Sequence, residues 1–376
     1  MKYRRFGKTN LELSVFSLGT MRCITDVEIF HHTIEKALEW GINHLETARG
    51  YGKSEEYLGT AIKTGLSVPR GQFYITTKIP PCADNSTMER HIDESLQKLN
   101  VDYLDALGIH GLNTEQQWQW VKSNNGCMKA IQKAIDDGRI KHVGFSTHGS
   151  LKIILDAINT DYFEFVNLHY YYFFQRNNLA VTAAAEKDMG VFIISPTDKG
   201  GRLYTPSDKL KELCQPFTPL ELNYRFLLSD ARITTLSVGA ANPEELTLPL
   251  AVSDNISNLT PAEVKVFKNL ENYQTQILGT DKCSQCYDCL PCPENINIPE
   301  ILRLRNLTVA YNMIDYGKYR YGMLENAGHW FPGMRGNRCT ECGDCLPKCP
   351  ENLDIPYLLQ NAHETLNGKT SRRLWD

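Results

Sequence analysis

Between residues 15 and 252 the chain alternates short β-type runs with amphipathic helical stretches, and this regularity limits its folding choices more than any other feature. The runs are "VFSLGTM", "HLETA", "FYITTKI", "YLDALGIHG", "KHVGFST", "FEFVNLHY", "VFIISPT" and "TTLSVGA", eight in all. Strict alternation predicts parallel strands joined by helical crossovers. Eight such units predict an α/β fold closed into a (β/α)8 TIM barrel rather than an open doubly wound sheet. No G-x-G-x-x-G follows the first run, which removes the usual mark of a dinucleotide-binding open sheet. In "DVEIFHHTIEKALEWG" the residues Val27, Phe30, Ile34, Ala37 and Leu38 share a helical face, and Gly41 ends the helix. Ahead of the first run, "YRRFGKTNLELS" reads as a short hairpin able to plug the barrel floor.

The alternation stops near "SDNISNLTPAEVKVFKNLENYQ". Thr260, Pro261 and Glu263 stand at the N-cap, N1 and N3 positions of a new helix, a capping box. The expected division is therefore a barrel over residues 1–258 and a smaller, mostly helical domain over 259–376.

Eight of the 12 cysteines lie in that second part. Cys339, Cys342, Cys345 and Cys349, followed by Pro350, have the C-x2-C-x2-C-x3-C-P spacing of 4Fe-4S binding, in which the fourth cysteine ligates the other cluster. Cys283, Cys286, Cys289 and Cys292, followed by Pro293, are one residue tighter in the last gap. Crossed sets follow: Cys283, Cys286, Cys289 and Cys349 for one cluster, and Cys339, Cys342, Cys345 and Cys292 for the other. Paired zinc sites are the alternative, because C-x2-C also suits tetrahedral zinc. An internal repeat accompanies the cysteines, "CPENINIPEIL" matching "CPENLDIPYLL". In each copy one proline ends the cysteine loop and a second can occupy the first turn of a helix. The connecting "IPEILRLRNLTVAYNMIDYGKYRYG" reads as helical, giving a helical two-cluster ferredoxin-like domain. Cys23, Cys82, Cys127 and Cys214 are scattered and read as ordinary thiols; Cys82 alone follows a strand end.

A net charge of −4 offers no electrostatic reason to expect nucleic acid or an anionic membrane. No apolar run approaches the ~20 residues that span a bilayer, and the basic start is followed by no long apolar stretch. The thiol clusters then belong in a reducing cytosol.

In a (β/α)8 barrel the chemistry gathers at the C-terminal strand ends. There the chain has Glu46 and Tyr51 after the second run, Lys78 after the third and His110 after the fourth. Carbonyl reduction needs a proton at oxygen while hydride reaches carbon, and a phenol with an ordinary pKa near 10 is a reluctant donor. An adjacent ammonium favours the phenolate, a carboxylate holds the ammonium, and an imidazole orients the carbonyl. "HYYYFF" (His169 to Phe174) either walls a substrate pocket or packs the rim, and His148, in "STHGS", is open between a site and a structural role.

The stretches "INHLETARGYGKSEEYLG", "TTKIP" and "LGIHG" resemble the aldo/keto reductase superfamily pattern G-x-N-x-x-D-T-A-x-x-Y-G-x-S-E, and the whole chain resembles the branch with a C-terminal 4Fe-4S domain. The resemblance implies Tyr51 as proton donor, Lys78 and Glu46 as its tuning pair and His110 as substrate-orienting group. It also implies an NADP or NAD site at Ser146, Thr147, Asn167, Ser195, Gly200, Gly239 and Asn242. The family's aspartate is Glu46 here, its Ser-Asn is Ser146-Thr147, and its glutamine is Asn167. The loop "SPTDKGGRL" is one residue longer than the family's S-P-L-x-x-G-x-L. In "GAANPEEL" the bases expected around a 2′-phosphate are missing, while Asn242 and Pro243 start a helix that could face a phosphate.

Three functional readings follow. The barrel interconverts a small carbonyl and alcohol with NAD(P) while the clusters connect it to a ferredoxin-like or quinone acceptor. Alternatively the barrel is a scaffold for an electron-transfer or docking module. In the third reading the clusters are structural or oxygen-sensing and control an ordinary reductase.

Overall fold

The computed structural model describes residues 1–370. All eight predicted runs form strands: β3 (Phe16–Gly19), β4 (His44–Glu46), β5 (Tyr74–Ile79), β6 (Leu104–His110), β7 (Ile140–Ser146), β8 (Phe165–Leu168), β9 (Gly190–Ile193) and β10 (Thr235–Val238). They pair in parallel, each with its sequence neighbour, and β10 closes the ring against β3. Before them β1 (Tyr3–Arg5) and β2 (Glu12–Ser14) make an antiparallel hairpin.

That hairpin delivers Phe6 to the barrel floor, where it packs with Leu13, Ala106, Phe165 and Phe192, its ring 5.1 Å from that of Phe165. A Cβ on Gly190 would lie 2.2 Å from the Phe6 ring, so only glycine lets strand and plug approach this closely. Burying a phenylalanine contributes about 1.5–3 kcal/mol, which fastens the N-terminal segment to the floor. Above the plug is a polar layer. Ser17 Oγ meets His44 Nδ1 at 2.7 Å and Thr235 Oγ1 at 2.8 Å, and His44 Nε2 meets Thr76 Oγ1 at 2.8 Å. Burial, helped by the Lys78 charge, drives the His44 pKa down to about 3, so this imidazole is neutral in the folded protein.

The first crossover helix spans Val27–Glu39, capped by Asp26, and buries Phe30, Ile34, Ala37 and Leu38 as its periodicity predicts. Val27 differs, standing 40% exposed at the first turn, where the helix has not yet met the barrel wall.

By Cα proximity the described residues form two compact units: residues 1–200 with 223–258, and residues 201–222 with those from 259 on. The segment 201–222, contiguous with the barrel in sequence, thus clusters with the cysteine-bearing residues. In this second unit the capping box forms, with Thr260 Oγ1 accepting from Glu263 N and Glu263 Oε2 accepting from Thr260 N at 2.6 Å. The helical connection is two helices, Ile298–Tyr311 and Ile314–Met323, because Asn312 takes a left-handed conformation at φ +54°. Helix Ile298–Tyr311 is buried nearly all round, and its Arg303 is satisfied by Glu300 (2.9 and 2.6 Å) and Tyr316 (3.3 Å). The second proline of each repeat copy, Pro299 and Pro356, lies in the first turn of its helix, as expected. Among the described residues no helix is long and apolar enough to cross a membrane.

Candidate active site and cluster cysteines

Parallel pairing sets Glu46 opposite Thr76 and Lys78 opposite Gly108, and with this two-residue stagger Glu46, Lys78 and His110 come to the C-terminal ends of adjacent β4, β5 and β6. The turn after β4 then brings Tyr51 back over them, its N–H bonded to Ala48 O at 2.9 Å. Lys78 and Glu46 are buried, at 2% and 3% exposure, and form a direct ion pair between Nζ and Oε1. The ammonium sits 4.8 Å from the centre of the half-buried Tyr51 ring. His110 meets that ring edge-on, centroids 5.6 Å apart at 87°. All four predicted catalytic side chains are therefore one cluster.

The electrostatics differ from the simple expectation of an acidified phenol. Burial raises the Tyr51 pKa, and although Lys78 pulls it down, Glu46 pushes with the burial, so the balance lies above the ordinary value. For Lys78 burial opposes the ammonium, but Glu46 and Tyr51 outweigh it and hold the pKa above its usual value. A protonated phenol thus faces a firmly charged ammonium, which stabilises a phenolate once the proton has left.

Asn167, 1% exposed, donates from Nδ2 to Glu46 Oε1 at 3.0 Å, and its Oδ1 has no partner. Ser146 Oγ accepts from Gly111 N at 3.1 Å and still has a proton to give. A carboxamide needs an acceptor for its NH2 and a donor for its oxygen, and Asn167 and Ser146 are of the right types. Thr147 is committed elsewhere: its hydroxyl donates to Leu112 O at 2.7 Å and accepts from Gly149 N at 2.9 Å. Ser195 is half-buried at φ +54°, opening the loop after β9. At Gly200 a Cβ would fall 2.1 Å from Pro196 O, which makes glycine obligatory in that loop.

The loop after β10 is less suited to a phosphate. Asn242 caps a single 3-10 turn, Pro243–Leu246, through Glu245 N. The Glu245 carboxylate accepts from Ala241 N at 3.1 Å and from Arg22 at 2.7 and 3.2 Å, while Gly239 O accepts from Arg22 at 2.6 Å. The Glu245 carboxylate thus occupies the Ala241 N–H and the Arg22 guanidinium, a feature sequence reading missed.

At the rim, His169 Nε2 lies 3.2 Å from His148 Nε2, and His169 Nδ1 lies 2.5 Å from the Tyr171 hydroxyl, which donates to Ile194 O. Tyr170 and Tyr171 are buried, so this part of "HYYYFF" packs the rim. The Cys82 thiol is pushed up to about 12 by burial and by Cys127, so it is not a thiolate at neutral pH.

The two cysteine runs repeat in structure as well as in spacing. In each, the second cysteine (Cys286, Cys342) is exposed, the third (Cys289, Cys345) buried, and the first and fourth intermediate. Gln285 and Tyr287 flank Cys286 at φ +63° and +70°, and Glu341 and Gly343 flank Cys342 at +55° and +82°. Asn295 and Asn352, each three residues past a fourth cysteine, are left-handed at +54° and +52°. Such alternation turns successive N–H groups toward one concave side, a cradle for an anionic cluster. One hollow is bordered by Cys283, Cys286, Cys289 and Cys349, with Leu302, Leu353 and Ile355. Another is bordered by Cys292, Cys339, Cys342 and Cys345, with Ile296, Ile298 and Leu359; Cys289 also touches it. The thiols border these hollows, and among the described residues no group of three or more His, Cys, Asp or Glu could hold a lone metal ion. The donor set, the apolar lining and the backbone cradle fit a four-iron cube.

Comparisons with known proteins find two matching families. Residues 17–272 match the aldo/keto reductase family, and residues 282–353 match a 4Fe-4S dicluster domain. The chain is 21% identical to the uncharacterized oxidoreductase YqkF of Bacillus subtilis (strain 168), over 72% of this chain and 96% of that protein. It is 34% identical to the methylglyoxal reductase DkgB of Escherichia coli O157:H7, over 36% of this chain and 48% of that protein. The solved aldo-keto reductase AKR11C1 from Bacillus halodurans (holo form) shares the fold at a TM-score of 0.62 and 20% identity, covering 71% of this chain and 95% of that one. The chain is an oxidoreductase of the aldo/keto reductase family that carries a C-terminal 4Fe-4S dicluster domain.

Proposed function

We propose that the barrel interconverts a small carbonyl compound and its alcohol using a nicotinamide, and that the cysteine domain holds two 4Fe-4S clusters exchanging single electrons with a ferredoxin-like or quinone partner. A nicotinamide, when bound, supplies or accepts the hydride at carbon. Tyr51 gives its hydroxyl proton to the carbonyl oxygen, and His110 orients that oxygen beside the phenol. Lys78 lowers the cost of the phenolate left behind, and Glu46 keeps Lys78 charged. Asn167 Oδ1 and the Ser146 hydroxyl receive the carboxamide. The observation carrying this reading is the Lys78 ammonium 4.8 Å from the Tyr51 ring centre, with Glu46 paired behind it. In the cysteine domain, Cys283, Cys286, Cys289 and Cys349 hold one cluster and Cys339, Cys342, Cys345 and Cys292 the other.

The test is turnover of a panel of small aldehydes and ketones with NADH and NADPH under anaerobic conditions. Tyr51→Phe is expected to lose about 10²–10⁴-fold in kcat, the usual worth of a positioned proton donor, while still binding nucleotide. Equal turnover by the variant would sink the reading. A second reading, a barrel that only supports the clusters, is favoured by Glu245 already engaging the Ala241 N–H and Arg22 in the loop after β10. Calorimetry separates the two, since micromolar nicotinamide binding removes the scaffold reading.

A further inference from the structure

The two halves of the dicluster domain match closely in backbone and cysteine burial, which makes a polar mismatch between the first two cysteines of each run informative. Gln285 and Glu341 stand at equivalent positions, each between the first and second cysteine of its run and each left-handed (φ +63° and +55°). Gln285 Nε2 donates to Cys283 Sγ at 3.3 Å and to Pro299 O at 2.9 Å, so both amide protons are used and the side chain is fastened to the start of helix Ile298–Tyr311. The same helix gives a second donor, Asn306 Nδ2, to Cys283 O at 3.0 Å. In the other copy Pro356 replaces Pro299 and His363 replaces Asn306, and His363 bonds the Tyr321 hydroxyl at 2.7 Å. Glu341 is exposed, and its carboxylate carries no N–H to direct at Cys339 as Gln285 does at Cys283.

Reduction adds negative charge to a cluster and its thiolates. An N–H directed at a ligand sulfur stabilises that charge, and a nearby carboxylate opposes it. Resting on the two-cluster reading above, we infer that Gln285 sets the Cys283 cluster at a higher reduction potential than its repeat partner beside Glu341. The fold therefore has a built-in direction. In the half-reduced protein one electron leaves the Glu341 side and one arrives at the Gln285 side, with no proton transfer required.

The test is an anaerobic potentiometric titration of the full-length holoprotein followed by electron paramagnetic resonance, with iron and labile sulfide measured on every sample. Wild type should show two separated one-electron steps. Gln285→Leu should move the higher midpoint down and narrow the gap, and Glu341→Gln should move the lower midpoint up. Two cluster signals whose midpoints stay in place in Gln285→Leu, with iron content intact, overturn the inference alone. Should Gln285→Leu lose iron, Glu341→Gln decides, and an unmoved lower midpoint there also overturns it. A wild-type sample without two cluster signals overturns the two-cluster reading, and the inference falls with it.

Discussion

Asn167 donates to the same Glu46 oxygen that faces the Lys78 ammonium, across 3.0 Å. One carboxylate oxygen thus serves both the tyrosine–lysine pair and the residue whose other amide atom has no partner. The family pattern has an aspartate and a glutamine here, whereas this chain has a longer acid and a shorter amide that meet directly. Asn167→Ala should raise the NADH dissociation constant about tenfold, the worth of one hydrogen bond to a buried polar group. Calorimetry measures it, and unchanged affinity would show that Asn167 is not the carboxamide acceptor.

Lys78→Met leaves Glu46 buried without a counter-charge, which costs about 3–5 kcal/mol. The double variant Glu46→Gln/Lys78→Met removes that charge and should recover most of the thermal stability. Turnover should stay down by a factor of about 10²–10⁴ in both. Recovery of turnover in the double variant would contradict Lys78 as the partner of Tyr51.

The raised Tyr51 pKa fixes the sign of a pH effect. The phenol keeps its proton through and above the ordinary range near 10, so kcat for carbonyl reduction should hold steady from pH 7 to 9. A stopped-flow profile falling as an acidified tyrosine titrates, around pH 7 to 8, would contradict the balance of burial over the lysine charge.

Much of this was legible in the sequence because it is carried by local pattern. The eight strands announce themselves as β-rich runs, and the two hollows are bordered by the same thiols that the spacing groups together. Other features depend on partners far along the chain. Tyr51 and Lys78 are 27 positions apart, and no reading of residue types reveals that burial outweighs their attraction. Glu245 meets Arg22 only because β10 returns beside β3 to close the barrel. Gln285 looks like any loop residue until helix Ile298–Tyr311 presents Pro299 O to it. Asn312, by contrast, is a left-handed helix stop inside the stretch that reads simply as helical.

His44 links the barrel core to pH. Its folded pKa of about 3 lies below the unfolded value of about 6.5, so between these limits the unfolded chain binds the extra proton. Stability from this group is present above pH 6.5 and is lost as pH falls toward 3, by about 1.4 kcal/mol per pH unit. Between pH 6.5 and 5, wild type should lose more stability than His44→Gln in urea melts. Equal slopes would contradict a neutral buried imidazole.

Glu245 beside the loop after β10 opposes an added phosphate charge. NADH should bind more tightly than NADPH, and Glu245→Gln should narrow the difference. Tighter NADPH binding by the wild type would contradict this placement of the charge.

Iron and acid-labile sulfide counted in protein purified without oxygen test the dicluster assignment most directly. Two four-iron cubes on the crossed cysteine sets predict about eight iron and eight sulfide per chain. Zinc in their place, or iron without sulfide, would contradict it.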